Sequence, residues 1–166
     1  HSLLCCDIAA RAGVSPVVQL AALMHDAHEA YVSDLSSPAK MAIDRYSMAG
    51  GGVAAWKLFE AAHAKALRAS FGLTTVFSNQ RDFLHDVDLQ ALATERRDLT
   101  QYRPGHHTRW DVIDTLPNVI DPLHWVNLNT PEREATTWRE WRAAFLSRYT
   151  SLRGQVRAKL KEALAC

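Results

Sequence analysis

The sequence predicts an all-α protein, a single helical bundle with a long irregular connection ahead of its C-terminal helices. Apolar residues recur at intervals of three and four, and alternating strand-type runs are scarce. Start signals of the Ser-Pro and Thr-Pro kind and glycine stops divide the chain into helix-sized pieces. The 166 residues match one ordinary domain, and 48% hydrophobic against 22% charged residues supports a packed core and excludes a disordered tail.

Residues His1 to Ala12 form the first expected helix, with Leu3, Leu4, Ile8 and Ala9 on one side and Gly13 as its stop. Ser15 as cap and Pro16 in the first helical position open a second helix, expected to run to about Tyr31. Ser33 to Lys40 reads as a polar loop holding a proline, followed by a short helix to Met48. Gly50-Gly51-Gly52 marks a connection or tight turn. Val53 to Ser70 is strongly helical and ends near Gly72 in a left-handed cap. Ser78 is expected to cap a helix reaching about Asp98. From Leu99 to Asn129 the breakers Pro104, Gly105, Pro117 and Pro122 predict irregular structure with one short helix. Thr130-Pro131-Glu132 opens the last helical region, where Trp138, Trp141, Phe145, Tyr149, Leu152, Val156 and Leu160 form a stripe expected to pack in the core.

The formal net charge is +1, too small for wholesale attraction to polymeric nucleic acid or an anionic membrane. No apolar run reaches the roughly 18 residues that span a bilayer, and nothing resembles a signal peptide. Cys5, Cys6 and Cys166 show neither a metal spacing nor an even disulfide set, so Cys5 and Cys6 are expected as reduced core residues of a cytoplasmic protein. The chain begins at His1, not Met, and is expected to lack its front.

Polar residues inside apolar helical faces are the informative ones. In LAALMHDAHEA, His25, Asp26 and Glu29 share faces with Ala21, Ala22, Leu23 and Ala30 at helical spacing. An ionised carboxylate there is costly unless it is paired or holds a cation. A bare His-Asp dipeptide is weak evidence, and His85-Asp86, beside Arg81 and Asp82, reads as a solvated face. Asp88 differs, because Leu84, Ala91 and Leu92 place it on the apolar side. His1, His25, Asp26 and Asp88 would make two imidazoles and two carboxylates, a set that suits Mn, Fe, Co, Ni or Zn over the all-oxygen sites of calcium and magnesium. The competing assignment has His25 and Asp26 bonding to each other or capping the backbone. His106-His107, beside Pro104-Gly105, reads as an exposed loop pair; His28, His63 and His124 carry no assignment, although His28 adjoins Glu29.

His1, His25-Asp26 and Asp88 resemble the H…HD…D signature of the HD-domain phosphohydrolase superfamily. HDAHEAYVSDLSSPAK, with VDLQALATE downstream, resembles the branch of bacterial 5′-deoxynucleotidases and phage deoxynucleoside-triphosphate hydrolases. The likeness covers roughly residues 1 to 97. It implies an HD-type bundle and a divalent transition metal (Mn, Co, Zn, Fe or Ni) held by His1, His25, Asp26 and Asp88. Glu29 would activate the attacking water, Lys40 would face substrate phosphate, Asp34 the sugar 3′-hydroxyl, and Pro38 would shape the pocket wall. Turn chemistry for Asp34 and a solvent-facing charge for Lys40 are the competing assignments. The resemblance also implies a helix ahead of His1, which this chain lacks, and a homo-oligomer.

The implied activity is hydrolysis of a small-molecule (deoxy)nucleotide by metal-bound water, as a 5′-nucleotidase or a triphosphohydrolase. The alternative is a catalytically silent HD module that binds nucleotide as a sensor or assembly partner. Glu29 speaks against that alternative, since a binding module needs no proton-transfer group. A di-iron oxygenase would need further histidines at a spacing that His63 and His85 do not show, and no GYP-like segment marks a cyclic-dinucleotide phosphodiesterase.

Overall fold

A computed structural model describes residues 1–115 and 119–165; the breaker Pro117 and the cysteine Cys166 lie outside the described residues. Among those residues the structure is all-α, with no strand. The helices are α1 (Ser2–Arg11), α2 (Pro16–Leu23), α3 (Glu29–Val32), α4 (Ser37–Ala49), α5 (Ala55–Ser70), α6 (Thr74–Asn79), α7 (Arg81–Leu99), α8 (Asp111–Asp114), α9 (Pro131–Ala135) and α10 (Trp138–Ala165). The chain divides into two compact units, one of His1–Leu23 with Gln80–Cys166 and the other of Met24–Asn79.

In the first unit, α1 packs on α2 and α7, and α2 packs on α7 and α10. Leu4, Cys5, Cys6, Ile8 and Ala9 of α1 are buried, as are Val18, Leu20, Ala21, Ala22 and Leu23 of α2. The alanines set the spacing, because small side chains let helix axes approach closely. Cys5 and Cys6 are free, buried thiols. Gly13 stops α1 at φ +69°, the left-handed geometry its lack of a Cβ permits. The irregular connection is tied to the end of α7 by polar groups. The buried Thr94 Oγ1 accepts from Leu123 N at 2.9 Å, Arg97 donates to the carbonyls of Leu123 and Val126, and Asp98 accepts from Leu128 N. Leu89 and Ala93 of α7 cluster with Ile113 of α8, and Leu92, Trp110 and Ile120 pack around them.

In the second unit α5 is the hub, with α3, α4 and α6 against it. Asp44 of α4 accepts from Trp56 N at 2.7 Å and Lys57 N at 3.3 Å, satisfying donors that the first turn of α5 leaves open. Gly72 ends this region at φ +69°, as its sequence position predicts.

Five expectations are corrected. The second helix stops at Leu23, not near Tyr31; residues 24–28 form tight turns with Ala27 N on Met24 O and Glu29 N on Asp26 O, because short-range i→i+3 bonds replace the α-helical ladder there. Pro38 and Lys40 belong to α4, not to a loop, since Ser36 is the N-cap, its carbonyl accepting from Ala39 N and Lys40 N, and Pro38 sits in the first turn, where its missing N–H costs nothing. Ser78 lies inside α6, its hydroxyl turned back to Thr74 O, so it caps nothing. The last region breaks after α9, where Thr137 and Glu140 form a reciprocal cap that starts α10. Finally, the α10 stripe packs only along its middle: Leu152 is buried and Trp141, Phe145, Tyr149 and Val156 are partly buried, while Trp138 and Leu160 at the ends are 66% and 59% exposed. At 28 residues α10 far outruns the 8-residue α2 against which it packs, leaving its ends uncovered. Arg139 and Arg133 shield Trp138 and Trp141 from above instead.

Candidate functional site

The expected ligand set is divided between the units: His1 and Asp88 belong to the first, His25 and Asp26 to the second. In the first unit, α7 presents Asp88 so that its Oδ1 lies 2.9 Å from His1 Nε2. The other ring nitrogen, Nδ1, lies 2.8 Å from Glu95 Oε2, two turns further along the same face of α7. Cys5 Sγ lies 3.6 Å from His1 Nε2. Burial opposes a charge on His1, but the bonds to Asp88, Cys5 and Glu95 outweigh it and push the imidazole above its usual range. With both nitrogens on carboxylates the ring is held protonated and offers no lone pair; to ligate a metal, His1 would have to give up the Nε2 proton, with Glu95 left behind Nδ1 as the supporting carboxylate. In the second unit His25 Nε2 lies 2.8 Å from Asp26 Oδ2. Each pair therefore joins a nitrogen donor to a carboxylate oxygen, the donor chemistry of a borderline divalent ion.

The tight turn over 24–28 delivers Glu29 to the first position of α3, whose end is Ser33 at φ +65°. Burial is the main cause that raises the Glu29 carboxyl to about 7; Asp26, Asp34 and Glu60 add to it and Lys40 opposes it. Lys40, in the first turn of α4, extends its ammonium among three carboxylates: Glu60 Oε1 at 2.8 Å, Asp34 Oδ1 at 3.8 Å and Glu29 Oε1 at 3.9 Å. Asp34 itself is largely exposed, and Pro38 is exposed at the start of α4. The structure thus gathers Glu29, Asp34 and Lys40, while Pro38 starts the helix that carries Lys40.

Glu60 and Arg68 of this unit carry no sequence-based expectation, and His28 is marked only as a neighbour of Glu29. His28 is buried; its imidazole, held below its usual pKa mainly by that burial, lies 3.8 Å from Glu60. Donor atoms of His28, Glu29 and Glu60 lie within 4.8 Å of one another, a grouping able to hold a metal ion, although Lys40 already brings a cation to it. Arg68 lies over the Phe77 ring at 4.2 Å, and its buried Nε meets no hydrogen-bond partner among the described residues. Burial lowers its pKa and Asp26 counters that. A signal for Glu60 was present: Trp56, Glu60, Ala64, Leu67 and Phe71 share one face of α5, so Glu60 is a carboxylate in an apolar stripe, as Asp88 is. His85, Asp86, His106 and His107 are exposed, as expected; His124, which carries no assignment from the sequence, is exposed too, and His63 bonds to the Phe59 carbonyl.

No family model matches this chain, and no solved structure matches it. The chain is similar to the uncharacterized protein YfdR of Escherichia coli (strain K12), 32% identical over 117 residues that make up 70% of this chain and 54% of that protein. It thus spans about half the length of the curated relative it matches. No helix among the described residues is long and apolar enough to cross a membrane.

Proposed function

We propose that the chain is a metal-dependent phosphohydrolase that cleaves phosphate from a small (deoxy)nucleotide, with His25 and Asp26 among the ligands of a divalent transition metal. One observation carries the reading: in a single unit, a carboxyl group with a pKa of about 7 stands beside an ammonium and a His-Asp pair. The acidic groups Asp26, Glu29, Asp34 and Glu60 outnumber the cations Lys40 and Arg68, and burial keeps His28 neutral. An excess of negative charge in a half-buried setting invites a cation. When bound, a divalent ion would supply an activated water and polarise the phosphoryl oxygen.

Glu29 is then the proton-transfer group. With a pKa near the working pH it accepts a proton from the nucleophile and returns one to the leaving oxygen. Lys40 meets the charge that spreads onto the phosphate oxygens, and Asp34 accepts a hydrogen bond from a sugar hydroxyl. The two buried free thiols, Cys5 and Cys6, suit a reducing cytoplasm.

The test is one incubation with Mn or Co and a panel of nucleoside and deoxynucleoside mono- and triphosphates, with products separated by chromatography. Release of inorganic phosphate marks a nucleotidase and release of triphosphate a triphosphohydrolase. Asp26→Ala should lose metal and turnover together, while Glu29→Ala should keep metal and lose turnover by roughly 10²- to 10⁴-fold. Binding of nucleotide without any product, or metal retained in full by Asp26→Ala, would overturn the reading.

A further inference from the structure

The Lys40–Glu60 contact has no part in the chemistry above, and it is the shortest that Lys40 makes to the three carboxylates around it. Lys40 Nζ donates to Glu60 Oε1 at 2.8 Å, whereas Asp34 and Glu29 stand at ion-pair distance only. A lysine is a rotamer-rich chain ending in three donors. Left among three carboxylates at similar distances, its ammonium would share itself between them. Glu60 prevents this because its own helix is fixed. The stripe of Trp56, Ala64, Leu67 and Phe71 is at least half-buried, and Asp44 bonds to Trp56 N and Lys57 N, holding α4 in register with α5. The same clamp sets the Lys40–Glu60 distance, since Lys40 and Asp44 are one turn apart on α4.

We propose that Glu60 is the positioning residue for Lys40, taking one ammonium hydrogen so that the other two face substrate phosphate between Glu29 and Asp34. This rests on the phosphohydrolase reading and deepens it: Glu60 acts only through Lys40 and touches no reacting atom. Its carboxylate keeps the lysine from closing onto Glu29, which would neutralise the proton-transfer group.

The test compares wild type, Glu60→Gln, Lys40→Met and the double variant, each loaded with Mn and supplied with whichever nucleotide the wild type turns over. Glu60→Gln should lower kcat on the order of tenfold to a hundredfold, the scale of a misplaced catalytic group, with KM little changed. Glu60→Asp should recover part of the loss. The double variant should be no slower than Lys40→Met; multiplied losses would show that Glu60 acts independently of the lysine and would overturn the proposal. A second readout needs no turnover. In ¹³C-lysine spectra of the metal-free protein, the Lys40 midpoint, held above the usual lysine range by Glu60 against the lowering effect of burial, should fall in Glu60→Gln, and an unchanged midpoint sinks the positioning role. If that midpoint falls but the wild type cleaves no nucleotide, the phosphohydrolase reading fails and so does any catalytic purpose for Glu60.

Discussion

Glu29 should weaken the folded protein at neutral pH, and replacing it with glutamine should strengthen it. Its carboxyl rises from an ordinary 4.5 to about 7, first because burial strips its water and then because Asp26, Asp34 and Glu60 crowd it. Below pH 4.5 the group is protonated in folded and unfolded chains alike and contributes nothing. Between 4.5 and 7 the unfolded chain ionises while the folded one holds its proton, so stability falls as pH rises, and the full cost is present above 7. A shift of that size corresponds to about 3 kcal/mol, and with the side chain 24% exposed solvent screening reduces it to ~1–3 kcal/mol. Glu29→Gln keeps the shape and removes the titration. Urea unfolding of the metal-free proteins at pH 4.5 and pH 8 should show matching midpoints at the lower pH and a more stable variant at the higher. Added Mn should shrink the difference in the wild type's disfavour, since a cation relieves the repulsion. Equal stability at both pH values, or a variant less stable at pH 8, refutes the reasoning.

Other consequences are local to one unit. Thr94→Val leaves the buried Leu123 N–H without its acceptor and should cost about 1–3 kcal/mol in urea unfolding. Thr137→Ala removes one half of the reciprocal cap with Glu140; a loss of about 1 kcal/mol is expected, with helix signal at the α10 start reduced in hydrogen exchange. Gly72→Ala forces a Cβ into φ +69° with no clash to explain any loss, so a melting-temperature drop corresponding to roughly 1 kcal/mol would isolate the backbone strain itself.

Periodicity and punctuation made much of the fold legible. Gly13 and Gly72 end helices where a residue without a Cβ must, and Pro16 begins one where its missing N–H costs nothing. The signal failed where a local polar competitor won. The start at Ser36 and Pro38 was hidden by its polar neighbours, Thr137 by the run that Thr130 opens, and the end of α2 by a stretch whose apolar spacing continues through His25 and Asp26 although its backbone does not. Patterning also cannot say whether a stripe finds a partner, which is why Trp138 and Leu160 were expected inside and lie outside. At the site, Glu29 was reachable because it lies one helical turn from His25-Asp26 in sequence, and Lys40 only through the resemblance of the segment that follows. The apolar stripe marks Glu60 as unusual, but its link to Lys40, twenty residues away, enters only once α5 packs on α4.

Direction of titration separates the carboxylates that serve the fold from the one that does not. Asp114 is pulled below its usual range by Arg96, with help from Trp110 N, and Asp98 by Arg97 and the Leu128 N–H. Both tie the irregular connection to α7. Their stabilisation is present above the unfolded value of 3.8 and is lost as pH falls through the lower folded value. Glu140, capping α10, is lowered in the same way by Thr137. Glu29 moves the other way, upward. Folding gains from ionising the other three and loses from ionising Glu29, so packing gives no reason for a glutamate at that position where glutamine would serve better. A group kept against stability, within reach of a lysine and three residues from a His-Asp pair, is what the proposed proton-transfer role would require.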